Sequence, residues 1–289
     1  MICRVLSVSR SGYYAWAARG PSTRAVSDAA MTERIREIHC DSDATYGSRR
    51  VHAQLRRDGV AVNKKRVERL MRVSEIVGAH VPARRRRSNP DGLLGIEGVK
   101  AWPDLVGRDF APSAPNQLWC ADMKQIPTAE GVVHLASVLD CFSRRVVGWR
   151  MAGVAAEPLV AGAVGAAVAQ CRTGQGLIHH SDRGCQYTAV TFAKGLTASG
   201  IVASFSAKGT PHDNAAKESF FATLEKEHLR SRTFDSHAEA RGSIFRYIEG
   251  WYNPRRLHST LGYRSPDEVE RDYHEQHAEA GSAATAHGA

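Results

Sequence analysis

Residues 118–140 have the sequence LWCADMKQIPTAEGVVHLASVLD, in which two apolar-rich segments flank a short turn. The turn lies at Ala129-Glu130-Gly131, so the pattern predicts one strand over 118–127 and another over 131–140. Asp122 interrupts the first strand, although aspartate is depleted in strand interiors. A carboxylate in that place needs a reason, and it directs attention to acidic residues further along the chain.

The rest of the C-terminal half alternates between strands and helices. Short apolar segments predict further strands, and longer segments that start near a proline or end before a glycine predict helices. The predicted strands cover 144–151, 177–180 and 201–205, and the predicted helices cover 158–171, 188–199, 213–229 and 236–252. Such alternation is typical of an α/β domain in which helices cover a central sheet.

The N-terminal part predicts an all-α unit. Apolar residues recur at helical spacing over 28–40, 48–58 and 63–73, and a short turn that begins with a glycine joins the last two helices. This is a helix-turn-helix pattern, in which the start of the second helix faces DNA. That start holds Lys64, Lys65 and Arg66. A three-helix bundle with a solvated basic edge remains the alternative.

Basic charge is concentrated in the first two-fifths of the chain. Residues 1–115 hold 21 Lys and Arg against 12 Asp and Glu, whereas residues 116–289 hold 18 of each. A linker rich in turn residues is predicted over 81–115, and its arginine run is able to follow DNA phosphates: Arg84, Arg85, Arg86 and Arg87. A basic module before a neutral one indicates nucleic-acid binding, although a merely solvated basic surface has the same composition.

These patterns divide the chain into five parts. They are an N-terminal segment (1–27), a helix-turn-helix domain (28–80), the linker (81–115), an α/β core (116–270) and a disordered tail (271–289). The most apolar stretch, 159–169, is too short to cross a membrane, and no apolar run of signal-peptide length is found at the start. The sequence therefore predicts a cytoplasmic protein without membrane contact.

Two further acidic residues have positions that suit metal chemistry. Asp182 follows the fourth predicted strand in HHSDRGCQY, and Glu218 lies in a later helix in DNAAKESFF, with 35 residues between them. In-line cleavage of a phosphodiester needs charge stabilised on the attacking and the leaving oxygen, which two Mg²⁺ ions about 4 Å apart can provide. Mg²⁺ prefers hard oxygen ligands, so a few carboxylates suffice. Each acid alone is more often a cap or a turn residue, and only the set of three is specific.

The motifs that contain these acids resemble those of a known family. They are W-x-x-D around Asp122, HSD-x-G-x-Q-Y around Asp182 and DNA-x-x-ES-F around Glu218. The similarity extends over nearly the whole chain up to about residue 270, and it includes YGSRRVHAQLRRDGVAVNKKRVERLMR at 46–72 and YNPRRLHSTLGYRSPDEVE at 252–270. The chain resembles the transposases encoded by the second reading frame of the third family of bacterial insertion sequences, which are close to retroviral integrase cores.

The resemblance implies a ribonuclease-H-like core with a five-stranded mixed sheet, in strand order 3-2-1-4-5, and helices on both faces. It implies cleavage and transfer of DNA strands that depend on Mg²⁺ or Mn²⁺, with Asp122, Asp182 and Glu218 as catalytic and metal-binding residues. Lys217 and Lys226, on the helix of Glu218, are further candidate contacts to DNA. The expected partners are transposon ends and target DNA on the nucleoid, further copies of the chain as a homo-oligomer, and the first-frame product of the same element, joined by a frameshift.

Two positions depart from the family pattern. Lys124 stands where threonine is usual two residues after the first acid, and Glu225 stands where a basic residue is usual seven residues after the last. Strand alternation predicts that Lys124 shares a face with Asp122, and two turns of helix return Glu225 to the face of Glu218. An ammonium group there competes with metal ions unless it turns away to a neighbouring acid.

Two other functions stay open on the sequence alone. A DNA-binding regulator without catalysis would explain the basic half and the helix-turn-helix, but it leaves the three acids unexplained. A nuclease of the same fold that does not transpose would explain the acids. Short inverted repeats around the gene and an overlapping upstream frame would distinguish a transposase from both.

Overall fold

The structure, a computed structural model, describes residues 7–79, 103–171, 173–206, 215–230 and 232–286. The chain divides into two compact units, Met1–His80 and Val81–Ala289. The four arginines Arg84, Arg85, Arg86 and Arg87 lie outside the described residues, so their predicted contact with phosphates stays a prediction.

Helices make up the first unit where the structure describes it. They are α1 (Arg10–Ala17), α2 (Thr23–Asp41), α3 (Ser48–Arg57) and α4 (Lys64–Val73). The last three contribute most of the buried apolar side chains of the unit, namely Ile35, Ile38, Val51, Leu55, Val67, Leu70 and Met71, and Tyr46 between α2 and α3 is buried as well. α2 begins before its predicted start at residue 28 because the hydroxyl of Ser22 caps it, accepting a hydrogen bond from the amide of Ala25 at 3.2 Å.

The second unit is built on a five-stranded mixed sheet. Its strands are β1 (Leu118–Thr128), β2 (Gly131–Asp140), β3 (Val146–Ala152), β4 (Ile178–Ser181) and β5 (Val202–Phe205). Their spatial order is β3-β2-β1-β4-β5, which confirms the predicted order. β1 pairs antiparallel with β2 and parallel with β4, so β1 is the central strand.

Helices cover both faces of this sheet. α5 (Glu157–Gln170) and α6 (Val190–Ala198) share a core with Trp119 and Ala121 of β1 on one face. α7 (Ala215–Leu224) and α8 (His237–Tyr247) share a core with Leu118 and Cys120 on the other. Because side chains alternate along a strand, the even-numbered residues of β1 point toward α7 and α8. None of the described helices has the length and apolar composition that crossing a membrane requires.

Two helices that the sequence predicts as continuous change into π turns near their ends. A π turn at Glu225–Leu229 follows α7, and another at Ile248–Tyr252 follows α8. A π turn widens the hydrogen-bond step from four residues to five, and such turns are frequent at functional sites. Residues after Leu224 therefore follow a different helical step from that of a straight α-helix.

The turn before β3 is longer than the sequence predicts, so the strand begins at Val146 instead of residue 144. The buried carboxylate of Asp140 accepts hydrogen bonds from the amide and the hydroxyl of Ser143 at 2.8 and 2.7 Å. It also accepts one from the amide of Asn116 at 2.9 Å. Burial raises the pKa of Asp140, and these hydrogen bonds lower it again in part. Asp140 thus shapes the turn.

The C-terminal segment differs from the predicted disordered tail over 271–289. A helix, α9 (Pro266–Ala286), covers most of it. A capping box starts this helix, since the amide of Glu268 donates to Ser265 and the amide of Ser265 donates to the Glu268 carboxylate at 2.7 Å. Arg271 and Glu275, one turn apart, form an ion pair at 3.8 Å. The segment is mostly polar, so its sequence shows little of the apolar periodicity that indicates a helix.

Candidate active site and DNA-binding surface

Asp122 lies in the central strand of the sheet. It pairs with Ser137 of β2, and its side chain is half-buried. Its Oδ1 accepts a hydrogen bond from the amide of Met123 at 2.7 Å. Strand alternation puts Asp122 on the same face as the buried Cys120, so its carboxylate lies on the α7 side of the sheet.

Asp182 directly follows β4, the parallel neighbour of β1. The paired register of these strands ends with Cys120 opposite His180. Asp122 and Asp182 come two residues further along each strand, so the register carries both acids to adjacent positions at the carboxyl end of β4. Asp182 is exposed, and its Oδ1 accepts a hydrogen bond from the amide of Gly184 at 3.0 Å, which shapes the loop after the strand.

The charges of both Asp122 and Asp182 affect the pKa of Tyr187. Its ring is buried, with the rings of His179 and Phe192 at centroid distances of 6.1 and 5.8 Å. Burial raises the pKa of the phenol well above its ordinary range, and the carboxylates of Asp122 and Asp182 raise it further. Both acids therefore lie within electrostatic range of one buried side chain. Tyr187 was not among the predicted site residues, although its place in HSDRGCQY was the available signal.

Glu218 is the first side chain of α7 that the structure describes, and it is half-buried. The helix packs on the sheet through Phe220, Phe221 and Leu224, which belong to the same core as Cys120. Three positions separate Glu218 from Phe221, nearly one turn, so Glu218 lies at the edge of the buried stripe. The third acid is therefore on the same side of the sheet as Asp122.

An ion pair joins β1 to the end of α7. Nζ of Lys124 lies 2.8 Å from Oε2 of Glu225. Lys124 lies on the same face of β1 as Asp122, because the two are two residues apart in a strand. Glu225 follows Glu218 by seven residues, nearly two full helical turns, so the two side chains point in directions that differ by about 20°. The faces that carry two of the acids therefore oppose each other. The two residues that depart from the family pattern are bonded to one another.

The side chains present fit a hard divalent cation. Asp122 and Asp182 offer carboxylate oxygens at adjacent strand positions, and Mg²⁺ needs only one or two protein carboxylates besides water and substrate phosphate. Within the described ranges, no three His, Cys, Asp or Glu side chains are gathered closely enough to hold a metal ion. The register of β1 and β4 thus leads to two of the predicted acids at adjacent positions, and Glu218 lies on the Asp122 side of the sheet, but the described residues do not gather all three into one cluster.

The helix predicted to contact DNA begins as the sequence indicates. Asn63 caps α4, since its Oδ1 accepts a hydrogen bond from the amide of Lys65 at 2.9 Å. Lys64 and Lys65 are exposed, and Nζ of Lys64 lies 3.6 Å from a carboxylate oxygen of Glu68. Both ammonium groups are therefore at the surface of the helical unit.

Arg66 turns back toward α2. Its guanidinium lies 2.8 Å from Asp28, and that of Arg69 lies 2.6 Å from the same carboxylate. The hydrogen bond from Arg69, assisted by Arg66, lowers the pKa of Asp28 below its usual value of 3.8. These groups border a cleft of about 510 Å³ whose charged lining has four cations and one acid: Arg24, Asp28, Lys65, Arg66 and Arg69. Arg24 and Arg69 were not among the predicted contacts to DNA, and the excess of cations in the cleft suits a phosphate group.

The two other candidate contacts to DNA lie near the catalytic helix. Lys226 is half-buried in the π turn after α7, beside Glu225. Lys217 belongs to α7, but its side chain is outside the part of the chain that the structure describes. Contact of either lysine with DNA remains a prediction.

Comparison with known proteins gives the same two-part division. Residues 112–211 and 199–266 match two family models of an integrase core domain, and residues 26–87 match that of an HTH-like domain. The chain is 37% identical to the insertion element IS600 uncharacterized 31 kDa protein of Shigella sonnei, over 96% of this chain and 100% of that protein. It is 36% identical to the transposase for insertion sequence element IS904 of Lactococcus lactis, over 88% and 98% respectively. It is 35% identical to transposase InsF for insertion sequence IS3A of Escherichia coli, over 93% and 92%.

Proposed function

The chain belongs to the insertion-sequence transposases that have an integrase core, and we propose that Asp122, Asp182 and Glu218 form its active site for DNA strand cleavage and transfer. The matches to an HTH-like domain and an integrase core confirm the two domain types that the sequence predicts. One observation carries the proposal for the site. It is the parallel register of β1 and β4, which leads to Asp122 and Asp182 at adjacent positions.

The chemistry assigned to these acids is metal-dependent phosphoryl transfer. Two divalent cations, Mg²⁺ or Mn²⁺, would stabilise charge on the attacking and leaving oxygens of an in-line displacement. Asp122 would hold cations from the central strand, whose pairing on both sides limits its movement. Asp182 would do so from the loop after β4, and Glu218 would complete the set from α7. Tyr187, buried against the ring of His179, would support the strand that leads to Asp182.

A division of labour between the two units follows from the same proposal. The helical unit, over 28–80, would hold DNA phosphates at the cationic cleft beside the start of α4. The core over 116–270 would carry the chemistry, and the arginine run at 84–87 would supply further contacts with DNA phosphates. Transposon ends and target DNA are the substrates. Further copies of the chain and the first-frame product, joined by a frameshift, are the expected partners on the ground of the resemblance.

Strand transfer by the full chain, fused to the first-frame product, tests the acidic set. The substrate is duplex DNA that carries the inverted repeats found beside the gene, with Mg²⁺ or Mn²⁺. We expect Asp122→Asn, Asp182→Asn and Glu218→Gln each to lower the rate roughly 100- to 10,000-fold, because metal stabilisation of the transition state is worth several kcal/mol. Binding of the same DNA without metal should stay within a factor of about two, since phosphate contacts are made elsewhere.

Asp104→Asn is the matched control. Asp104 lies in an exposed turn of the same unit, where its carboxylate accepts hydrogen bonds from the amides of Val106 and Gly107 at 2.9 and 3.0 Å. This variant should transfer strands at the wild-type rate. A variant of the set that transfers strands as fast as Asp104→Asn does would remove that residue from the active site.

A further inference from the structure

Lys124 and Glu225 form an ion pair directly beside the proposed active site. Nζ of Lys124 and Oε2 of Glu225 are 2.8 Å apart, and the two side chains are 22% and 49% exposed. Lys124 is two residues from Asp122, about 7 Å along β1. Glu225 is the first residue of the π turn that follows α7. The pair thus connects the strand of one proposed metal ligand with the end of the helix that carries another.

We propose that Lys124 and Glu225 are positioning residues that hold α7, and Glu218 with it, in register with Asp122. The inference rests on the proposed function, because it assigns a purpose to the contact between those two elements. α7 also packs on the sheet through Phe220, Phe221 and Leu224. The hydrophobic effect has no preferred direction, so apolar burial fixes the rotation of a helix and its position along a strand less sharply than a bond between two defined atoms does.

A charge-assisted hydrogen bond supplies what the apolar contacts lack. It has a defined length and direction, and it is shorter and stronger than a neutral one. Catalytic groups must be held within about 0.5 Å of their working positions. The pair lies at the point where the α-helix becomes a π turn, so it also fixes where the helical step changes. Loss of either partner should therefore loosen α7 as a unit.

A rival role for the same pair is purely electrostatic. An ammonium group beside Asp122 weakens the binding of cations there, and the carboxylate of Glu225 strengthens it. On that view Lys124→Met tightens metal binding, Glu225→Gln weakens it, and the double variant shows the product of the two effects. The positioning role predicts coupling between the positions instead, because the pair is already broken once either partner is replaced.

Binding of Mn²⁺ to the full chain without DNA separates the two roles. The electron paramagnetic resonance signal of free Mn²⁺ gives the dissociation constant for wild type, Lys124→Met, Glu225→Gln and the double variant. We expect the double variant to bind Mn²⁺ about two- to fivefold more tightly than the product of the single effects predicts, the range for a partly exposed ion pair. Amide hydrogen exchange in α7 of the metal-free protein should accelerate in both single variants and no further in the double variant.

Arg264 and Asp272 provide the matched control pair. They lie 3.0 Å apart in the same unit, with 46% and 32% of their side chains exposed. Replacing them by Met and Asn, singly and together, should change neither Mn²⁺ binding nor exchange in α7. Additive effects at Lys124 and Glu225, with exchange in α7 unchanged, would overturn the positioning role. Failure of the proposed active site is a different result, namely Asp122→Asn binding Mn²⁺ as tightly as wild type.

Discussion

The carboxylate of Asp28 holds two neighbouring arginine side chains in place. It neutralises part of the cationic cleft of the helical unit, and it orients the guanidinium groups of Arg66 and Arg69 through contacts of 2.8 and 2.6 Å. A phosphate group that entered the cleft would meet these arginines already positioned, but it would also meet a carboxylate of its own sign. Under the proposed function, Asp28 would lower the affinity of the cleft for DNA phosphates while it holds the two arginines in place.

Asp28→Asn should raise the affinity for DNA and loosen the two arginines. Because Asp28 lies in the cationic cleft, DNA binding should become about two- to fivefold tighter at low salt, and the gain should shrink as salt rises. A matched control is Asp58→Asn, which breaks the contact of Asp58 with Arg34 at 2.8 Å in the same unit. Fluorescence anisotropy of a labelled duplex measures both variants. Equal gains in both would show that only net charge matters and not the position of Asp28.

The same substitution should make stability depend less on pH. The pKa of Asp28 is lower in the folded protein than its usual value of 3.8, chiefly through the hydrogen bond from Arg69. The charged form is therefore favoured by folding, so its contribution is present above pH 3.8 and is lost as pH falls through the lowered pKa. The melting temperature of Asp28→Asn should lie below that of wild type at pH 6, and the difference should close below pH 3.8. A constant difference from pH 6 to pH 2.5 would contradict this assignment.

Glu227 and Arg256 form a buried ion pair. Two hydrogen bonds of 2.7 Å join the guanidinium to the carboxylate, and 2% and 4% of the two side chains are exposed. Removing one partner leaves the other charge buried without its counter-ion, so Glu227→Leu should cost about 3–5 kcal/mol of unfolding free energy. Glu227→Leu with Arg256→Met should cost less than Glu227→Leu alone. Urea unfolding of wild type and of both variants measures these costs. A double variant less stable than Glu227→Leu alone would contradict the argument.

At the level of elements, a glycine sets the distance between β3 and α5. A Cβ atom on Gly148 would lie 2.3 Å from the carbonyl oxygen of Ala163 and 2.6 Å from the amide nitrogen of Ala167, both in the helix backbone. Backbone atoms cannot move aside as a flexible side chain can, so the strand and helix would have to separate. The glycine is needed for close packing on this face of the sheet.

Gly148→Ala should therefore destabilise the core by about 1–3 kcal/mol, as overpacking does. Gly165→Ala in α5 is the opposite case, because a Cβ atom there meets nothing within 4 Å and the position is exposed. That change should raise stability by about 0.5–1 kcal/mol through helix propensity. Thermal unfolding followed by circular dichroism compares the two. Equal effects of the same sign would show that close packing at Gly148 is not the cause.

The elements of the core could be predicted because local pattern and tertiary structure agree. The alternation around Asp122 fixes the face of β1, and the flanking motif of Asp182 marks the end of β4. Asp122 could be singled out in the same way, since it interrupts an otherwise apolar strand, whereas Asp182 and Glu218 became candidates only as a set with it, through the motifs that surround them. Contacts between elements could not be predicted. The bond between Lys124 and Glu225 depends on how α7 crosses β1, and the π turn that begins at Glu225 has no local signature.

The sequence also could not predict which polar side chains contact other residues of the same chain. A basic helix start suggests that Lys64, Lys65 and Arg66 all face outward, but Arg66 contacts Asp28 on another helix. That choice depends on the packing of α2 against α4, which hydrophobic periodicity does not specify. Asp140 likewise carries no sign in its local sequence that its carboxylate closes the turn before β3.

On the scale of the whole molecule, the charge is divided between the two parts of the chain. The first 115 residues hold the entire excess of nine positive charges, while the remainder is neutral. Under the proposed function, such a division would let one part bind DNA through phosphates without covering the proposed active site of the other with cations. The strength of non-specific DNA binding should then depend on salt through the first part, since each phosphate contact releases counterions.

Replacing Lys64, Lys65 and Arg66 together by Ala tests that expectation on the full chain. Each lost phosphate contact should flatten the plot of log affinity against log salt by about 0.9. Because Lys64 lies near Glu68 and Arg66 contacts Asp28, these two make weaker contacts than free cations would, and we expect a change between about 0.9 and about 2.7. The control removes three exposed cations of the second unit, Arg150, Lys194 and Arg246, and it changes net charge equally. Anisotropy titrations from low to moderate salt give both slopes. If the control flattens the slope as much as the first variant does, the basic excess acts as a diffuse charge and α4 is not the element that docks on DNA.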